Sequence, residues 1–271
     1  MRPPEMIRPV WSLRAMLGRA VLAGALAAGP AASGAAAQAG DVELRADGLY
    51  REGKHHESLA LLERHLEGVP RDYLALVLAA RDELVLGYSA TDADSARAWL
   101  RRSIAHGSAA QEIDPTDAAG RYVTLAAKGR LALVEGSRAR ARLGVEVERE
   151  ALALLAEDSL HAGAHNALGR VYLEVARLSR VERVFARAIM GSTVGRARWD
   201  AAEAHLRRAV ALQPERNFHH VDLGALLVAR GRRDEARAVL DEALRVPLEI
   251  PAQEGFRRDA RWLLRQADPG R

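Results

Sequence analysis

The sequence predicts an all-α fold: a solenoid of paired helices, with an amphipathic helix inserted into one pair and a capping helix at the C-terminal end. Three observations carry this. Ala, Leu and Arg dominate the 271 residues while aromatics are only 4%, a mix that loses little on entering helices. Small and apolar positions recur at a constant 34-residue shift, the length of one helix–turn–helix unit. Apolar residues elsewhere stand at i, i+3 and i+4, the period of a helix face.

The repeat is clearest near the C-terminal end. Trp199, Ala202, Leu206 and Ala209 are followed by Pro214; 34 residues on stand Arg233, Ala236, Leu240 and Ala243, with Pro247 behind. The alanines admit a close neighbour helix, the leucine fills the space between, and the proline ends the second helix. His165, Leu168, Gly169 and Tyr172 have the W-x2-L-G-x2-Y spacing of a first helix, with His in the Trp slot. Leu223-Gly224 repeats the pair, and Gly231 marks a turn. These are the marks of tetratricopeptide (TPR) units.

Upstream the units are more degenerate. Val42, Ala46 and Leu49 share one face; Gly53 marks a turn; Leu59, Leu62 and Leu66 share another; Pro70 closes the unit. Ala96, Leu100 and Ser103 imitate the second-helix pattern before Pro115, helices near 117–133 and 143–157 form a third unit, and residues 252–267 form the cap.

One unit is broken open. Tyr172 and Ala202 lie 30 residues apart, where an ordinary unit has about nine. Val181, Val184, Phe185, Ala188 and Ile189 form an apolar stripe in the insert, opposite Glu182, Arg183 and Arg187. The stripe is expected to dock on the array and bury Phe185. Gly191 to Gly195 reads as a loop, without the Lys and Ser/Thr of a P-loop.

Within 164–191, Gly169-Arg170, Glu174-Val175-Ala176, Leu178-Ser179, Glu182-Arg183 and Gly191 follow the run Leu-Gly-Arg, Glu-Val-Ala, Leu-Ser, Glu-Arg, Phe-Gly. In this the segment resembles the regulator of microtubule dynamics family. Arg180, Val171 and Met190 stand where that family has Trp, another aromatic and Phe. The resemblance is clear over about 165–247 and looser back to about 42. It implies a TPR-like fold and scaffold character; an exported bacterial chain would not meet tubulin.

Composition narrows function. With no cysteine there is no disulfide, thiolate metal site or Cys nucleophile. All basic residues except Lys54 and Lys128 are arginines, as in a GC-rich coding sequence. Residues 1–39 hold four arginines against Glu5, so residues 40–271 carry 36 basic and 35 acidic groups. That near-neutral balance removes the electrostatic basis for a nucleic-acid partner. Arg14 and Arg19, the apolar Ala20–Ala28, Pro30 and the small-residue sites ending at Ala37 and Ala39 read as an export signal over 1–39, before a repeat domain over 40–271. Export to the periplasm or the medium is therefore expected.

Catalytic signatures are missing: no G-x-S-x-G, Walker loop, H-E-x-x-H or convergent acid/base set. The chain is read as a non-enzyme without cofactor, metal or small-molecule substrate. His161 and His165 share a helix face with Asp158 one turn earlier, but a structural role fits better, with Asp158 or Ser159 capping the helix. TPR arrays bind on the concave face lined by first helices, which here should hold Arg81, Tyr122, Asn166, Arg170 and Leu173 for a protein or peptide partner. The alternative is a membrane surface met by 181–189 and the arginine-rich segment 177–208. The export reading predicts that N-terminal sequencing of the mature chain from the cell envelope starts after Ala37 or Ala39; an intact initiator methionine on cytoplasmic protein would contradict it.

Overall fold

The computed structural model describes residues 30–267, with side chains from residue 40 onward, and shows helices and no strand among them. The expected export segment lies on residues 1–29, outside the described residues, and on 30–39, where only the helical backbone is described.

The helices pair in chain order: α1 (Pro30–Arg51) with α2 (His55–Gly68), α3 (Tyr73–Ser89) with α4 (Ala93–Ile113), and α5 (Ala118–Val134) with α6 (Ser137–Glu157). The fourth pair is α7 (Ala162–Ala176) with α10 (Trp199–Leu212); α8 (Arg180–Met190) and the single turn α9 (Thr193–Arg196) are inserted between its halves. Then come α11 (Asn217–Ala229) with α12 (Arg233–Arg245), a 3-10 turn Pro251–Gln253, and the cap α13 (Glu254–Ala267). Asp72, Asp92 and Asp117 cap α3, α4 and α5 by accepting backbone N–H groups. The turns at Gly53 and Gly231 need positive φ, 79° and 72°.

One contact recurs. A Cβ on Gly87 would lie 2.6 Å from Leu100, on Gly169 2.7 Å from Leu206, and on Gly224 2.4 Å from Leu240. In each case a first-helix glycine receives the fully buried leucine of its partner helix. Ala96, Ala202 and Ala236, four residues before each leucine, are buried too, so the two backbones come as close as a leucine against bare Cα allows.

Two expected boundaries move. Helix α6 starts at Ser137, six residues before 143, because Ser137–Arg142 is polar and shows no apolar period. The segment 191–195 is not a loop throughout: Gly191, at φ 53°, and Ser192 form a turn, and Thr193 already begins α9. The stripe on α8 is the larger correction: Val181, Val184, Phe185 and Ile189 are exposed, Phe185 by 72%. The reason is where the insert is anchored. Ser179 and Glu182 form a capping box at its start, and Met190 packs toward Gly144 and Val171 at its end. Buried Glu148 then clamps α9, taking Arg196 through two bonds of 2.8 Å, Tyr172 Oη at 3.0 Å, and Thr193. Both ends are held, and the middle turns its apolar side away from the core.

These contacts predict opposite results for two glycines. Gly169→Ala should destabilise by about 1–3 kcal/mol, since Leu206 has no room to yield. Gly129→Ala, with nothing within 4 Å in mid-helix, should stabilise by about 0.5–1 kcal/mol. Urea denaturation of both variants measures this; equal effects would contradict the close-approach account.

Candidate functional site: the concave cavity

The array coils until its ends meet. A Cβ on Gly53, in the first turn, would touch Pro251 at 3.0 Å. Tyr88 on α3 stacks against Phe256 on α13, ring centres 5.2 Å apart, and Phe218 meets Phe256 at 5.7 Å. Arg130 on α5 lies over both Tyr88 and Phe256. The first helices, with part of α6 and the insert α8, therefore line a half-open cavity of about 960 Å³.

Four of the five sequence-predicted residues line it: Arg81, Tyr122, Asn166 and Arg170. Leu173 does not. It is fully buried, because its side of α7 packs into the apolar core shared with α10 and α11 that also holds Leu206, Val221 and Leu226. The sequence reading missed Tyr50, Tyr88, Asp222 and Phe256, all on the cavity wall; only the turn-by-turn coiling brings them together.

Two ion-pair clusters brace the wall. Arg81 Nη1 donates to Asp47 Oδ1 (2.7 Å) and its guanidinium lies 3.6 Å from the Tyr50 ring centre; Arg51 Nε donates to the second Asp47 oxygen (2.8 Å). Burial would push the Asp47 carboxyl up, but the bonds from Arg81 and Arg51 outweigh it and hold it below its usual value. On the far side, Arg170 Nη1 (2.6 Å) and Asn166 Nδ2 (3.0 Å) both donate to Asp222 on α11, and the Asp222 charge raises the Arg170 pKa further. Burial raises the phenols of Tyr50, Tyr88 and Tyr122, so they stay neutral.

The histidines separate. His161, not Asp158 or Ser159, is the N-cap of α7, its Nδ1 accepting from Ala164 N–H (3.1 Å), and it lines the cavity. His165 turns outward from it and pairs with His205 of α10, Nδ1 to Nδ1 at 2.9 Å, while its Nε2 donates to the Ser159 carbonyl. Among the described residues no group of three His, Asp or Glu is placed to hold a metal. Four arginines of the basic segment are engaged within the chain. Arg183 donates to the carbonyls of Ala176 and Leu178, Arg177 to Ala225, Arg196 to Glu148, and Arg207 to Glu203 and Glu235.

A family model for regulator of microtubule dynamics protein 1-3 matches residues 43–268, from α1 through α13. The chain belongs to that family. The match spans the degenerate N-terminal units as well as the insert. Among solved structures, this family member resembles the thermophilic TPR protein TTC0263 of Thermus thermophilus, with TM-score 0.58 and 23% identity over 83% of this chain and 97% of that one. That likeness establishes the TPR solenoid fold. Human IFIT1, solved as a dimer with PPP-AAAA, is a looser likeness: TM-score 0.41 and 15% identity over 74% of this chain and 48% of that one. No curated protein matches the sequence.

The histidine pair makes stability pH-dependent. Burial, then the neighbouring His165, pushes His205 down to about 4, and burial lowers His165 as well. An unfolded imidazole takes its proton near 6.5. Between these values the unfolded chain binds more protons than the folded one, so stability is full above about pH 6.5 and falls as pH drops toward 4. His205→Gln should flatten that part of a denaturation-versus-pH profile; an unchanged slope would show that the pair does not control it.

Proposed function

We propose that this chain is a non-catalytic binding module of the cell envelope that holds an extended peptide segment of a partner protein inside its concave cavity. The observation that carries the reading is the cavity itself. It is a continuous space built from the first helix of every hairpin, walled by tyrosines and phenylalanine that supply contact area at low entropic cost. Asn166, Gln213 and Gln253 on the same wall offer amide donors and acceptors to a peptide backbone. A TPR solenoid that binds along its inner face is the expected frame for such a partner. The basic, apolar, small-residue order of the first 39 residues supports the envelope location.

Gly129 tests the cavity directly, since a side chain there enters open space on the wall. Gly129→Trp should keep a wild-type helical spectrum and lose the partner found by crosslinking and mass spectrometry in the envelope. An unchanged set of crosslinks at full folding would overturn the reading.

A second reading rests on one observation, the exposed apolar side of α8. Phe185, Ala186 and Ile189 stand at the cavity rim while Val181 and Val184 point outward. Exposed Arg180 and Arg187 flank them, an arrangement suited to lying on an anionic lipid surface. None of the described helices is long and apolar enough to cross a membrane. Because Phe185 is exposed, Phe185→Ala should change stability by less than about 0.5 kcal/mol. Flotation with phosphatidylglycerol liposomes decides its role: binding lost in Phe185→Ala supports membrane contact, and equal flotation of both proteins, or of neither, rejects it.

A further inference from the structure

We infer that the trough between the insert α8 and the start of α6 is an apolar subsite at the mouth of the cavity, which takes a bulky aliphatic or aromatic side chain of the bound peptide. The inference rests on the peptide reading above and adds the chemistry of one ligand position. The walls of the trough come from the insert and the α5–α6 turn, not from the middle of the first helices.

The apolar side of α8 is held where its own chain does not cover it. Phe185 is 72% exposed and Ile189 40%. The capping box of Ser179 and Glu182 fixes one end of the helix. Buried Met190 and the grip of Glu148 on Thr193 and Arg196 fix the other. A helix pinned at both ends cannot roll to bury that side, so the exposed surface is a fixed feature of the fold. An apolar patch kept in the open in this way marks a binding surface.

Continuity with the cavity selects the occupant. Phe185, Ala186 and Ile189 line the cavity, and Val181 and Val184 do not. Leu133 at the end of α5, Ala141 near the start of α6, and Leu178 line the same space, and Leu133 is 39% exposed. A Cβ on Gly144 would lie 3.1 Å from Met190 and 3.9 Å from Val171, so α6, α7 and α8 meet at the closed end of the trough. Two charged groups at its rim are used within the chain. Glu182 accepts from Ser179 N–H, and Arg140 donates to the carbonyls of Ala132 and Glu135; Arg138 stands exposed to solvent. The trough itself presents hydrocarbon, while Asn166, Gln213 and Gln253 elsewhere on the wall present amides. An extended peptide uses both, the amides for its backbone and the trough for a side chain. Such a side chain covers the Phe185–Ile189 half of the stripe and leaves Val181 and Val184 in solvent. A membrane or a second copy lying on α8 from outside would cover Val181 and Val184 as well.

The test uses the full chain, immobilised, and two hexapeptide libraries. One has Leu, Phe or Trp at a central position and the other Ser, Thr or Asn, and retained peptides are counted by mass spectrometry. The wild-type should retain the apolar library at least about tenfold better, as burial of one such side chain requires. Phe185→Ser and Leu133→Ser, both at exposed positions, should each remove most of that preference. Val181→Ser, on the outward half of the stripe, should keep it, and thermal melts check that all three variants fold. Equal loss in Val181→Ser and Phe185→Ser would place binding on the outer side of α8 and overturn the trough. A wild-type dimer in light scattering that Phe185→Ser dissolves would assign the stripe to a second copy. Loss of liposome flotation in Phe185→Ser with the peptide preference unchanged would assign it to a membrane. Either result overturns the subsite. Equal retention of both libraries by the wild-type would overturn it and leave peptide binding standing. Retention of neither would overturn both.

Discussion

The close approach of glycine and leucine inside each hairpin is the constraint on which the rest of the structure depends. Gly87 with Leu100, Gly169 with Leu206 and Gly224 with Leu240 set one interhelix distance three times. A repeated distance gives a repeated rotation from hairpin to hairpin, and that rotation carries the first turn round to Pro251. Adding a methyl group at any of these glycines would push the helices apart and change the curvature on which the cavity depends.

Closure decides the chemistry of the inner wall. In an open solenoid, Arg81 and Arg170 would be solvated cations on a curved surface. Here Arg81 is buried and Arg170 half-buried, each beside one carboxylate, Asp47 or Asp222, on a neighbouring first helix. Breaking one member of such a pair leaves the other charge unmatched in a poorly hydrated space. The pairs therefore hold adjacent repeats in register as well as furnishing the wall.

The hairpins were legible in the sequence because they are local: Ala202, Leu206 and Pro214 reappear as Ala236, Leu240 and Pro247 at a spacing that pattern alone displays. Arg81, Tyr122, Asn166 and Arg170 were legible for the same reason, as first-helix positions. What failed was information held by distant contacts. Leu173 shares nearly the face of Asn166 one heptad earlier, but it packs into the core shared with Leu206 and Val221, which periodicity within α7 does not encode. His205 stands 40 residues from His165. The stripe on α8 correctly signalled an amphipathic helix, yet amphipathicity does not say what the apolar face meets. That was decided by Glu148, whose grip on Thr193 and Arg196 anchors one end of the insert far from the stripe.

The central claim is that the ligand lies inside the ring of first helices. Site-specific photo-crosslinking tests it most directly, with benzoylphenylalanine placed at Leu133, partly exposed on the cavity wall, or at Leu152, comparably exposed on α6 outside it. The account predicts peptide adducts in the envelope from position 133 and none from position 152. Adducts confined to position 152 would contradict it.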